Sequence, residues 1–236
     1  MGGDQQALRQ KLSQRWQELW PESGEPGRPP LFPGAGRAAE RLRRLTPYRL
    51  TRVLAVGPEP CLLQARVNAL NDNKSLLAAT PSLKQGLVRL TPRDMPLPTR
   101  SKALRGWSLA GSGHTLRLPN SRPGKAEMLL VAALAVDRRG RILDDGRGLI
   151  ELTWALLMRL RVINSETPVV VLAAEEQIVY ELPGGQAGLC ADLVVTPAQT
   201  LRMAKSLRPK PTLEGLAPAL ASLPVVRAVL GRGYSP

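Results

Sequence analysis

The chain has one histidine, two cysteines and one phenylalanine in 236 residues. Aromatic residues make up 3% of it, so aliphatic side chains must build the core. Cys61 and Cys190 stand far apart with no Cys-x-x-Cys spacing, and a single histidine completes no zinc ligand set. Two lone thiols suit a reducing compartment and read as small buried hydrophobes. The sole histidine, His114, lies in a Gly/Ser loop without a nameable partner, which fits an exposed loop position better than a general base. No apolar run reaches the ~18 residues of a membrane span. The opening "MGGDQQALRQKLSQRW" is too polar for a signal peptide's apolar segment. These absences predict a cytoplasmic protein with no membrane partner.

What is present is positive charge. Lys and Arg number 33 against 19 Asp and Glu, a net charge of +14. The excess concentrates in residues 61–130, which hold 11 basic and 3 acidic residues. A basic middle third suits an anionic ligand such as a nucleotide, a carboxylate-rich small molecule or nucleic acid; scattered loop arginines give the same count. Nucleic acid is the weaker reading, because Trp107 is the one aromatic in that stretch on which a base could stack.

Hydrophobic periodicity organises the chain. Leu8, Leu12, Trp16, Leu19 and Trp20 share one stripe at a 3.6-residue period, which predicts an amphipathic helix within residues 1–22. A Pro/Gly linker follows, and "AGRAAERLRRL" reads as a second helix. Strand-like runs recur at "TRVLAVGP", "SLLAATP", "GLVRLTP", "AEMLLVAALAVD", "TPVVVLAAE" and "DLVVTP". Several are continuously apolar, as strands covered on both faces are. Helical stretches are expected at 61–71, 147–161, 174–182 and 197–206, with Trp154 and Leu157 as core residues of the second. Alternation of this kind predicts an α/β layered fold over 23–205. Residues 93–125 form a long basic loop. A proline-punctuated appendage occupies 206–236, with a short helix near 223–230.

One turn carries chemistry. "DRRGRILDDGRG" leaves the end of the strongest strand and runs into a helix. Ligands in open α/β sheets sit beyond strand carboxyl ends. Free N–H groups and the dipole at a helix start favour an anion, and Gly146 and Gly148 permit close approach. Taken alone, a Gly-x-Gly before a helix is a weak sign of phosphate.

Six segments in order resemble the 5-formyltetrahydrofolate cyclo-ligase (methenyltetrahydrofolate synthetase) family, in particular its methenyltetrahydrofolate synthetase domain-containing branch. They are the Leu8-Arg9 helix with Trp16, and "FPGAGRAAERL" from Phe32 to Leu42. Next comes "QARVNALNDNKSLLAATPSL", matching through Arg66, Ala69, Leu70, Lys74, Leu76, Pro81 and Leu83. The glycine loop follows with Gly146, Gly148 and Glu151. Last are "TPVVVLAAEEQIVYELP", through Thr167, Pro168, Val169, Gln177, Glu181 and Pro183, and "ADLVVTP", through Asp192, Thr196 and Pro197. The resemblance spans about residues 5–205. It implies a Rossmann-like layered sheet of the sugar-phosphate isomerase/CoA-transferase-like type, with mostly parallel strands and helices on both faces. It also implies a ligase of folate one-carbon metabolism that uses ATP and Mg²⁺ to convert 5-formyltetrahydrofolate to 5,10-methenyltetrahydrofolate. Such chemistry needs phosphate positioning and charge neutralisation.

By this resemblance the nucleotide-phosphate loop is Gly146, Arg147, Gly148 and Glu151. Anion or substrate contacts are expected from Arg66, Lys74, Arg141 and Gln177. The loop departs from the family's "G.R.GKGxGYxD". Asp144 stands for a glycine, Asp145 for the lysine, Leu149 for the tyrosine and Glu151 for the aspartate. Ala174 and Glu175 replace a His-Asp pair. Two carboxylates repel a phosphate; alternatively, Arg147 or Arg141 restores positive charge, or Asp144 and Asp145 hold Mg²⁺. Two principal functions follow: an active cyclo-ligase, or a catalytically degenerate relative that binds a nucleotide, a folate or a protein partner. RNA binding is a more distant third.

Overall fold

A computed structural model describes residues 2–118, 123–183, 188–204 and 212–231. The predicted loop at 93–125 and appendage at 206–236 are therefore covered in part, with 119–122, 206–211 and 232–236 outside the described residues. In chain order the helices are α1 (Gly2–Leu19), α2 (Ala35–Arg44), α3 (Thr46–Leu50), α4 (Leu63–Asn71), α5 (Arg100–Ala103), α6 (Leu149–Arg159), α7 (Pro218–Ala221) and α8 (Pro224–Leu230). The strands are β1 (Val53–Val56), β2 (Ser75–Ala79), β3 (Leu87–Leu90), β4 (His114–Thr115), β5 (Met128–Val131), β6 (Ala135–Asp137), β7 (Ile142–Leu143), β8 (Val169–Leu172), β9 (Ile178–Val179), β10 (Leu193–Val195) and β11 (Thr200–Arg202).

Among the described residues these strands make an eight-stranded sheet, ordered β11-β10-β8-β5-β1-β2-β3-β4, and a three-stranded sheet, β7-β6-β9. The central strands β10, β8, β5, β1 and β2 run parallel. The edges, β11 on one side and β3 with β4 on the other, are antiparallel. The expected α/β class and mostly parallel sheet are borne out. From β1 the chain moves one way to β2, then crosses back to β5 on the other side. The strand order thus reverses between β1 and β5, where such sheets open a crevice.

Continuous apolar runs arise because each central strand is covered twice. Leu54, Leu76, Ala78, Val170 and Leu172 face one core cluster. Their neighbours Ala55, Leu77, Ala79, Val169 and Val171 face the other. Successive strand side chains point to opposite faces, so both must be apolar. α1 belongs to the first cluster through Leu12 and Trp16, as does Trp20 just past its end. Trp16 stacks on Trp20, with ring centroids 5.0 Å apart, and donates Nε1–H to the Leu134 carbonyl at 3.0 Å. α6 turns Leu152, Trp154, Leu156 and Leu157 into the second cluster, which α8 joins through Val225, Val226 and Val229.

Three local expectations change. The helix expected at 174–182 is a single tight turn, Glu175–Gln177, running into β9. Ile178 and Val179 pair with β6, and the buried strand beside them secures the extended form that β-branched residues already favour. Within the stretch expected as a helix at 197–206, Thr200–Arg202 are β11 instead, and 205–206 lie outside the described residues. The Thr196 hydroxyl accepts from Gln199 N–H at 3.0 Å, and the Thr196 N–H bonds the Gln199 carbonyl at 2.9 Å, reversing the chain so that Thr200–Arg202 returns along β10. Finally, "AEMLLVAALAVD" is two strands, β5 and β6, which lie in different sheets.

Candidate functional site

A cleft of about 710 Å³ opens where the strand order reverses. Gly57, Pro58 and Glu59 leave the end of β1 to form one wall, and Thr80, Pro81 and Ser82 do the same after β2. Aliphatic side chains including Leu63, Leu83, Leu129, Leu149 and Ile150 supply most of the remaining lining. The charged lining consists of Arg28, Arg105, Arg147, Glu25, Glu59 and Arg66.

The glycine loop borders this cleft through Arg147. Gly146 and Gly148 have φ of +79° and +67°, a region costly to other residues. Gly148 precedes α6 directly. The Asp144 carboxylate accepts Gly146 N–H at 3.0 Å and Gly148 N–H at 3.2 Å. From α1, Arg9 adds Nη2–H to the same carboxylate at 3.2 Å. Asp145 accepts the Arg147 N–H at 3.1 Å and its Nε–H at 2.8 Å, and lies 3.4 Å from Arg28 Nη1. Arg147 also donates to the Ser82 hydroxyl at 3.1 Å. The loop's donors are thus matched by the loop's own acids. In this arrangement a phosphate finds two carboxylates on the groups that would bind it, so the residues present do not fit a triphosphate. Among the described residues, no three His, Cys, Asp or Glu side chains gather into a set that could hold a metal ion.

Crowding of the acids sets their protonation. Burial, then the neighbouring Asp144, pushes Asp145 up to about 6. The same two causes push Glu151 up to about 7. Its Oε2 is buried without a hydrogen-bond partner among the described residues. Burial also raises Glu59 to about 7, against the opposing pull of Arg66.

The remaining sequence-predicted contacts scatter. Arg66 does line the cleft. Lys74 does not: its ammonium donates to the carbonyls of Thr51 at 2.6 Å and Arg49 at 3.4 Å, over the Tyr48 ring. There it caps the end of α3, where a cation suits the dipole. Arg141 donates to Asp137 and to the Leu182 carbonyl, both at 2.6 Å, beside the small sheet. Gln177 is buried and bonds Ala133 O at 2.6 Å and Ala174 N–H at 2.8 Å. Glu59 and Arg28 are not among the residues the sequence points to, and Arg9 is legible only as part of the first helical motif, not as a partner of the loop. Glu59 carried a signal, as a carboxylate just past the end of the first strand; Arg9 and Arg28 reach the loop from distant segments.

A family model described as the 5-formyltetrahydrofolate cyclo-ligase family matches residues 2–197, as the ordered motifs imply. A methenyltetrahydrofolate synthase domain-containing protein of Bos taurus is 28% identical over 212 residues, covering 85% of this chain and 54% of that protein. The Mus musculus protein of the same name is 28% identical over 189 residues, covering 78% and 50%. The chain thus spans about half the length of the curated relatives it matches. Among solved structures, the 5,10-methenyltetrahydrofolate synthetase of Aquifex aeolicus superposes with a TM-score of 0.57 at 17% identity, over 86% of this chain and 96% of that one. The Mycoplasma pneumoniae 5,10-methenyltetrahydrofolate synthetase gives 0.50 at 12%, over 82% and 99%. These two likenesses establish the fold.

Proposed function

The chain belongs to the 5-formyltetrahydrofolate cyclo-ligase family, and on that premise we propose that its cleft binds a 5-formyltetrahydrofolate-type ligand without ATP-driven ring closure. One observation carries the second half of this reading: the Asp144 carboxylate occupies the N–H groups of Gly146 and Gly148. The cleft supports the first half. Its position at the strand-order reversal, its aliphatic walls and its few convergent polar groups suit a mostly apolar ring system with a polar edge. Its rim arginines suit an anionic tail. Arg28 and Arg147 share the Asp145 carboxylate. The protein then acts as a folate-binding member of one-carbon metabolism in a reducing, cytoplasmic setting. The described residues contain no helix long and apolar enough to cross a membrane.

A second reading retains the ligase. It is favoured by three guanidinium groups, from Arg9, Arg28 and Arg147, that bond the two loop acids. If Mg-ATP displaces those acids, the same cations are at hand for its phosphates. In that case Arg147 and Arg28 would be the residues to hold its phosphates, with Gly146 and Gly148 N–H beside them.

One experiment separates the readings. Purified chain is titrated with 5-formyltetrahydrofolate by calorimetry, and methenyl-folate absorbance is followed with Mg-ATP. Micromolar folate binding with no absorbance rise is expected. Turnover above background would overturn the binding-only reading, and failure to bind the folate would overturn both.

A further inference from the structure

Residues 212–231 lie past the stretch that the family model matches. They contain α7 and α8, each opened by a proline whose fixed φ suits a first helical turn. Leu213, Leu216, Leu220 and Leu223 are partly buried on the second core cluster, and Val225, Val226 and Val229 belong to it. Among the described residues, every hydrogen bond of this segment closes within it. Apolar contact therefore holds it to the rest of the fold. A piece attached in that way can lift without global unfolding.

The segment touches two walls of the cleft from behind. Leu220 Cδ1 lies 3.5 Å from where a Gly148 Cβ would stand, and Gly148 leads directly into Leu149 and Ile150 of the lining. Val225 Cβ lies 3.4 Å from the corresponding point on Gly86. Gly86 closes the turn that begins at Thr80: its carbonyl accepts the Thr80 N–H at 3.0 Å and the Thr80 hydroxyl at 2.9 Å. Thr80, Pro81, Ser82 and Leu83 of that turn line the cleft.

The turn is one that needs backing. Ser82 and Leu83 have φ of +54° and +53°. Such left-handed values are costly for residues with a side chain and persist only where the surroundings hold them. Arg147 joins the same two walls on the cleft side, by donating to the Ser82 hydroxyl at 3.1 Å.

We propose that residues 212–231 form a strap that positions both walls, and that the cleft opens when the strap lifts. Docked, Val225 holds the strained turn and Leu220 holds the start of α6. Lifted, the strap lets Ser82 and Leu83 relax, the Arg147–Ser82 hydrogen bond parts and the walls separate. Leu220 and Val225 are positioning residues, because each acts on the cleft through a wall. The device does not depend on which ligand the cleft takes.

The test reads the cleft through a thiol. Cys61 lines it at 2% exposure, and Cys190→Ala leaves Cys61 as the single thiol of the chain. Labelling of Cys61 by DTNB is timed on the full chain in native buffer, with Leu220→Ala and Val225→Ala combined. The strap requires labelling at least tenfold faster than in the Cys190→Ala parent, at a rate that stays flat in urea up to the onset of unfolding. Val195→Ala is the matched control, since it removes the same atoms as Val225→Ala from a fully buried site in β10. An unchanged rate, or an acceleration that Val195→Ala reproduces, overturns the proposal. Native hydrogen exchange of the unsubstituted chain gives a reading free of variants. Amides of residues 80–86 and 148–152 should exchange in step with those of 218–230 and ahead of those in β5 and β8. Exchange of the strap while both walls stay protected overturns the proposal as well.

Discussion

Arg9 holds Asp144 twice across 135 positions of sequence: Nε–H donates to its carbonyl at 3.1 Å and Nη2–H to its carboxylate at 3.2 Å. Asp144 is nearly buried, at 8% side-chain exposure. Removing the guanidinium leaves a buried carboxylate short of a partner, which costs more than an exposed ion pair contributes. Arg9→Met should lower stability by about 2–3 kcal/mol in urea unfolding. A change within about 0.5 kcal/mol, the scale of an ordinary surface substitution, would mean the contact carries nothing.

Asp144→Gly should open the loop. The substitution frees Gly146 N–H, Gly148 N–H and Arg9 together, and removes a charge that repels phosphate. Tripolyphosphate and ATP should bind the variant at least about tenfold more tightly, a gain of ~1.4 kcal/mol. Calorimetry with and without Mg²⁺ measures it. A folded variant that binds no better than wild type would refute the idea that Asp144 guards this turn.

Glu151 and Glu59 give the fold an unusual pH response. Each carboxyl titrates near 7 when folded, well above its ordinary 4.5, because burial penalises the charged form. Their contribution to stability is complete below about 4.5 and is lost as pH rises through about 7. Glu151→Gln and Glu59→Gln should therefore leave stability near wild type at pH 4. At pH 8 each should raise it, by at most about 3 kcal/mol. Urea midpoints for wild type and variants at both pH values test the sign, and a destabilised variant at pH 8 contradicts it.

Trp16→Ala should cost about 3–5 kcal/mol. The ring is 1% exposed, stacks on Trp20 and bonds the Leu134 carbonyl. Chemical denaturation should report a loss of that size, whereas removing exposed Leu50 should cost little.

The sequence reveals elements whose pattern is local. The stripe from Leu8 to Trp20 is visible because helix periodicity repeats within a few residues. The runs at 53–56, 75–79 and 169–172 are visible because both of their faces are buried. Gly146 and Gly148 are legible as a turn for the same reason. What escapes is non-local pairing. Ile178 and Val179 become a strand because β6 lies beside them. Lys74 reads as a ligand contact but finds two carbonyls at the end of α3. Motif order identifies the family; the state of the loop depends on Arg9 and Arg28, whose reach no linear spacing encodes.

The glycine turn is finished by both extremities of the described chain. Arg9 closes it from one side, packing within 3.2 Å of where a Gly146 Cβ would stand. Leu220 approaches Gly148 from the other, at 3.5 Å by the same measure. During synthesis, domains tend to fold as the chain emerges, and contacts between distant segments come late and slowly. The β1–β2–β5 nucleus can therefore form while the turn still lacks one of its two braces. A chain that has emerged only as far as residue 219 would carry a formed sheet and a turn lacking its second brace, so this corner depends on a segment far along the chain.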